Sequence, residues 1–375
     1  MHLELARQVI EHYRKFPLPI ESSEDDERIH FEEPFKVTDE EGEVLRQLMP
    51  YPEHIDDIAE RIGRDKDELV PLLHSLIHKA FIVHSGTLED GYYRAQTLYP
   101  GAIEMQEKSL PKLTPTTLEE HVNANAGPFV DAVFGTPEIQ PWFRILPHEE
   151  AIPHDLAVFP SELFSHLVEH AGETGLAVCD CHCRARTKRY GGGCDSPKDE
   201  VCMAFGSYAT TGIEIGAFRA VTHDEMMKIA RRTRDAGLIR QAFTCEHTTL
   251  ICNCCDCCCG LLTLLKLGMP QSILKSNFHA YFNWELCKGC KSCIKACRLG
   301  AISLNRKNVK PVLNLEKCIG CGLCVVACPN RGAVTLKRKK EVISYFHSFD
   351  DVLRFRAEQT GRMELYEHYK GQEML

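Results

Sequence analysis

The sequence predicts an α+β fold on three observations. The first hundred residues carry amphipathic helical stretches that end in a short hairpin pattern. In the middle, capped helices alternate with short apolar strands that run into cysteines. Near the C-terminus one cysteine pattern occurs twice, which implies a small duplicated unit. The 375 residues suit two or three domains, and 44% hydrophobic with 26% charged residues is an ordinary balance for a chain with a real core.

The net charge of −9 is unevenly spread. Residues 1–100 hold 11 Lys and Arg against 22 Asp and Glu, a balance of −11, leaving +2 for the remainder. An acidic front argues against wrapping nucleic acid, because phosphate contacts need cations. The opening "MHLELARQVIEHYRKFPLPI" reads as a short amphipathic helix with Leu3, Ala6, Val9, Ile10 and Tyr13 on one face. It lacks the unbroken apolar stretch of a signal peptide, and no later run reaches the ~18 apolar residues of a membrane span. The expected location is cytoplasmic. In that compartment, twenty cysteines imply metal or cluster ligation, since disulfide frameworks belong to oxidising surroundings.

Within 1–100, Thr38 and Glu41 form a candidate capping box ahead of Val44, Leu45 and Leu48. Pro52 is expected to open a second helix with Ile55, Ile58, Ala59 and Ile62, stopped at Gly63. Asp65 caps a third with Leu69, Leu72, Leu73, Leu76 and Ile77, and a hairpin turns at Gly86–Gly91. Three helices and a hairpin resemble the winged-helix family, which implies either DNA reading or a scaffold. The third helix presents Asp65, Asp67 and Glu68 where a reader needs Arg, Lys, Asn or Gln, so the scaffold reading is favoured.

Residues 101–160, rich in Pro and Gly, read as linker and short helices, followed by a cysteine-rich α+β domain over 161–278. There Ser161 is expected to cap a helix ending near Gly172, and "LAVC" reads as a buried strand. "THDEMMKIARRTRDAG" is a helix with Thr222 and Glu225 as its box and Gly237 as its stop. After Gly260, "LLTLLKLGMP" reads as an apolar helix that would shield the cysteines from water. The final segment, 341–375, reads as a closing helical tail.

"CKGCKSCIKACR" and "CIGCGLCVVACP" are two copies of CxxCxxCxxxC, and "ELCKGCKSCIKACRLGAISL" aligns with "EKCIGCGLCVVACPNRGAVTL". Residues 279–340 thus resemble the bacterial two-cluster ferredoxin domain. That resemblance implies two [4Fe–4S] clusters, with the fourth cysteine of each run ligating the other cluster. One set is then Cys287, Cys290, Cys293 and Cys328; the other is Cys318, Cys321, Cys324 and Cys297. Three thiolates from one tight loop cap three irons, and Gly289, Gly320 and Gly322 permit the turn. Arg298 stands where the family usually has proline, close enough to raise a cluster potential.

Twelve cysteines remain. Cys181, Cys183, Arg184, Cys194, Pro197, Cys202 and Phe205, then "ICNCCDCCCG" from Ile251 to Gly260, and Lys275–Ser276–Asn277 before the ferredoxin, resemble a broad family of 4Fe–4S binding proteins of anaerobes. The resemblance implies cluster binding and redox work but no substrate. Candidate metal ligands are Cys181, Cys183, Cys194, Cys202, Cys252, Cys254, Cys255, Cys257, Cys258 and Cys259. Neighbouring cysteines point their side chains apart, so they are expected to serve more than one centre. One to three further iron–sulfur clusters are expected, either cubanes or a non-cubane form, with zinc as a lesser alternative. Cys179, Cys245, His182 and His247 lie outside the pattern; Arg186, Lys188 and Arg189 are expected to screen a negative cluster.

The leading expectation is an electron-transfer protein that works with a redox partner or as an enzyme subunit. Alternatives are a reductase with a substrate-accessible cluster and a redox-sensing DNA-binding regulator. No GxGxxG after a strand and no GxxxxGK[ST] loop points to a nucleotide.

Overall fold

The computed structural model describes residues 3–16, 37–97, 101, 105, 140–171, 175–189, 191–305 and 310–367. Most of the expected linker, 106–139, lies outside the described residues, as does the end of the tail, 368–375. Helices and strands mix throughout, as an α+β fold requires. The chain forms two units: 1–139 with 205–220 and 350–375, and 140–204 with 221–349.

In the first unit the helix Leu3–Arg14 buries Val9 and Tyr13 of the expected face together with Leu5, which is not part of it; the side chains of Leu3, Ala6 and Ile10 lie outside those described. The next helix, Asp39–Leu45, has a reciprocal capping box: Glu41 donates its backbone N–H to Thr38 Oγ1 at 3.2 Å, and Thr38 donates to Glu41 Oε2 at 2.6 Å. The second predicted helix starts later than Pro52. Glu53–His54 form a short strand instead, and His54 caps Ile55–Ile62 through its ring nitrogen. Gly63 stops that helix at φ 68°, and Asp65 caps Lys66–His78. Strands Ile82–Gly86 and Gly91–Ala95 pair with Gly86 opposite Gly91, and Glu53–His54 adds a third strand against Tyr92 and Tyr93. The helix Gly206–Glu214 joins this unit from the middle of the sequence, with Thr211 Oγ1 accepting from the His84 backbone at 3.3 Å.

In the second unit five strands lie side by side in the order Phe143–Ile145, Ile239–Phe243, Leu250–Cys254, Cys202–Phe205, Leu176–Cys179. Antiparallel registers place Cys252 opposite Gln241 and Leu250 opposite Ala204. The helix Phe164–Ala171 begins after a 3-10 turn over Pro160–Glu162, so Ser161 sits inside that turn rather than capping. His223–Asp235 is capped by Thr222 Oγ1, and Gly237 follows at φ 69°.

Two short hairpin-like pairs close the unit: Phe278–Phe282 against Val334–Arg338, and Ile302–Asn305 against Lys310–Leu313. The helices Ser292–Ala296 and Leu323–Val326 each carry the third cysteine of a CxxCxxC run, Cys293 and Cys324. The "KSN" residues prove structural. Ser276 Oγ donates to the Gly320 carbonyl at 2.9 Å, and Asn277 donates to the fully buried Glu162 at 2.8 Å. Arg338, the last residue of the strand Val334–Arg338, donates to the same Glu162 at 2.7 Å.

Candidate metal centres

The repeated cysteine runs build two neighbouring cavities. Cys287, Cys290, Cys293 and Cys328 line one together with Gly289 and Ile294. Cys297, Cys318, Cys321 and Cys324 line the other with Gly320, Arg298 and Ile239. Each cavity therefore draws three thiols from one run and its fourth from the other. Cys293 and Cys324 are buried among Ala280, Phe282, Ile302 and Val334, whereas Cys290 is exposed. Burial pushes the Cys321 thiol up to about 12 and the Cys293 thiol up to about 11, so an uncompensated thiolate is disfavoured in either place. Gly320 turns at φ 70°, where an added Cβ would meet the Phe278 carbonyl oxygen at 2.2 Å; only glycine fits.

The remaining thiols separate by face and loop. Cys252 and Cys254 sit two apart on Leu250–Cys254, so strand alternation puts both on one side, and Asn253 points the other way to donate to the Val201 carbonyl at 2.7 Å. Around them Cys202 neighbours Cys179, Cys181 and Cys252; Cys181 neighbours Cys183; and Cys254 neighbours Cys259. That makes one continuous array of seven. A second group holds Cys194, Cys255, Cys257 and Cys258, whose four sulfurs all lie within 4.8 Å of one another. Cys245 is buried apart from both, its thiol donating to the His247 carbonyl at 3.3 Å. His182 is buried at the start of His182–Arg189, and His247 lies beside Glu246 and His347.

In the array, Cys183, Cys252, Cys254 and Cys259 are held well above the ordinary thiol range, first by hydrogen bonds to the adjacent thiol and then by burial. Arg184 supplies the opposite charge. Its side chain is 1% exposed, Nη2 donates to the Asn253 carbonyl at 2.9 Å, and Nε and Nη1 find no hydrogen-bond partner. Despite burial, Cys181, Cys255 and Cys254 around it hold its pKa above the usual value. A buried guanidinium without a carboxylate is expensive unless the thiols beside it are anionic, so the residues fit metal-bound thiolates.

Sequence reasoning placed the screening on Arg186, Lys188 and Arg189. Arg186 does face Cys183, yet Arg184 is the buried cation. Cys179 also belongs to the array, a place that its i, i+2 spacing from Cys181 signals. The helix after the cysteines, Gly260–Lys266, buries Leu262, and Leu267 just past its end is 74% exposed.

Two struts tie the ferredoxin cavities to the cysteine-rich sheet. Arg298 Nε donates to the Gly237 carbonyl at 3.1 Å and Nη2 to Ala236 at 3.3 Å. Fully buried His148 takes the Cys321 carbonyl with its backbone N–H at 3.0 Å and sets its ring Nε2 3.0 Å from the Leu238 carbonyl. Leu238 packs among Cys181, Cys202, Cys255 and Cys258, while its neighbour Ile239 lines the second ferredoxin cavity.

Residues 280–336 match the family described as a 4Fe-4S dicluster domain. Comparison with curated proteins found no match, and comparison with solved structures found none. With that match and the clustered cysteines, the chain is an iron–sulfur protein that binds [4Fe–4S] clusters. No helix among the described residues is long and apolar enough to cross a membrane.

Proposed function

We propose that the chain carries electrons between a low-potential donor and a partner redox enzyme, through two ferredoxin clusters and at least one further cluster in the seven-thiol array. The ligand sets are Cys287, Cys290, Cys293 and Cys328 for one ferredoxin cluster and Cys318, Cys321, Cys324 and Cys297 for the other. Cys179, Cys181, Cys183, Cys202, Cys252, Cys254 and Cys259 serve the array. The observation that carries this reading is the adjacency of Leu238 and Ile239. Leu238, which leads into the strand Ile239–Phe243, packs in the cluster that holds Cys181 and Cys202, and Ile239, the first strand residue, lines a ferredoxin cavity. The exposed Cys290 marks the outer cluster as the entry point. The N-terminal unit acts as a winged-helix-like docking module, since exposed Asp65, Asp67 and Glu68 open the helix that would otherwise read bases.

Seven thiols favour one second reading, a reductase. Seven does not divide into fours, and a cluster held by three thiolates keeps one iron open to a substrate. A stepwise anaerobic reductive titration followed by EPR tests both. Electron transfer predicts ferredoxin-type signals plus at least one additional centre, with none altered by small molecules. A spectral change on adding a candidate substrate would transfer the assignment to the reductase, and ferredoxin signals alone would refute the array's role.

A further inference from the structure

The four-thiol group differs in kind from the ferredoxin sites. A single zinc ion bound by four thiolates at about 2.3 Å sets its sulfurs at tetrahedral edges of roughly 3.8 Å. A cubane instead spreads four thiolates over four separate irons and keeps them further apart. Cys257 and Cys258 Sγ are 3.8 Å apart, and all four sulfurs of Cys194, Cys255, Cys257 and Cys258 fall within 4.8 Å. Among the described residues, no quartet of ferredoxin cysteines draws this close. Gly193 turns beside Cys258 at φ 97°, a left-handed conformation that favours glycine. Arg184 lies beside Cys255 and offsets part of the charge that four thiolates would bring.

We propose that Cys194, Cys255, Cys257 and Cys258 hold a single tetrahedral zinc ion rather than an iron–sulfur cluster. The ion joins the loop after His182–Arg189 to the CDCC turn, and so clamps the two segments that deliver the seven-thiol array. Zinc does not change oxidation state, so this centre is a clamp beside the electron route and not a step on it. The assignment stands independently of the electron-transfer reading.

The test is elemental analysis of the full chain, purified without oxygen from cells supplied with both iron and zinc. Wild type should carry about one zinc per chain, and zinc X-ray absorption should show four sulfur neighbours at about 2.3 Å. Cys194→Ser and Cys257→Ser should each reduce zinc at least tenfold while retaining the iron. Loss of about four irons in either variant, or unchanged zinc in both, would overturn the proposal. If a variant fails to fold, wild-type absorption decides: a mixed nitrogen and oxygen shell, or no zinc, defeats it. The electron-transfer reading is judged by iron and EPR instead, so the two fail separately.

Discussion

Gly320 shows how far a cluster loop depends on one residue. Its φ of 70° and the Phe278 oxygen 2.2 Å from a Cβ leave no room for a side chain. Gly320→Ala should destabilise the ferredoxin segment by roughly 2–4 kcal/mol and lower its iron, as thermal denaturation and iron analysis of the anaerobic protein will show. Asp350 is a second residue under load. Burial raises its carboxyl from 3.8 to about 6, with Arg94 pulling the other way. Between those values the folded state binds more protons than the unfolded chain, so stability falls as pH rises through this window and stays lower above it. Asp350→Asn should therefore stabilise the protein at pH 7 by up to about 3 kcal/mol, and the gain should vanish toward pH 4. An equal gain at both pH values in denaturant titrations would contradict the assignment of burial as the cause.

Among the elements, the entry to the strand Ile239–Phe243 matters because Leu238 packs with cysteines of the cysteine-rich domain while Ile239 lines a ferredoxin cavity. Arg298 and His148 hold this entry through the carbonyls of Gly237 and Leu238. Arg298→Ala removes two bonds to the carbonyls of Ala236 and Gly237, at a cost of roughly 1–3 kcal/mol. Iron content should hold, while rapid-freeze EPR should show slower electron equilibration between the ferredoxin clusters and the array. An unchanged rate would remove the strand from the route. Element-level signals were also the most legible in the sequence. The Thr38 box, the Gly63 stop, the Asp65 cap and the Gly86–Gly91 turn rest on local chemistry, and each appears where spacing put it. Pro52 and Ser161 misled because tertiary pairing took over: a strand against Tyr92–Tyr93 in one case, and a 3-10 turn around buried Glu162 in the other.

For the whole molecule, local sequence said less. The chain leaves the cysteine-rich unit at Phe205, contributes a helix to the first unit, and returns at Val221. No local propensity encodes that excursion. The doubled CxxCxxCxxxC was readable because its ligands are close in sequence. The division of the other twelve thiols into seven, four and the separate Cys245 was not, because Cys194 meets Cys255, Cys257 and Cys258 across some sixty residues of chain. Arg184 was visible as a motif residue, but its role depends on burial beside Cys181 and the distant pair Cys254 and Cys255.

The central claim is that the metal chemistry extends beyond the dicluster segment. Iron and acid-labile sulfide per chain, measured on protein kept free of oxygen, test it most directly. Two cubanes account for about eight irons, so the account predicts about twelve or more, with sulfide rising in step. A value that stays at about eight irons in fully loaded protein would contradict it.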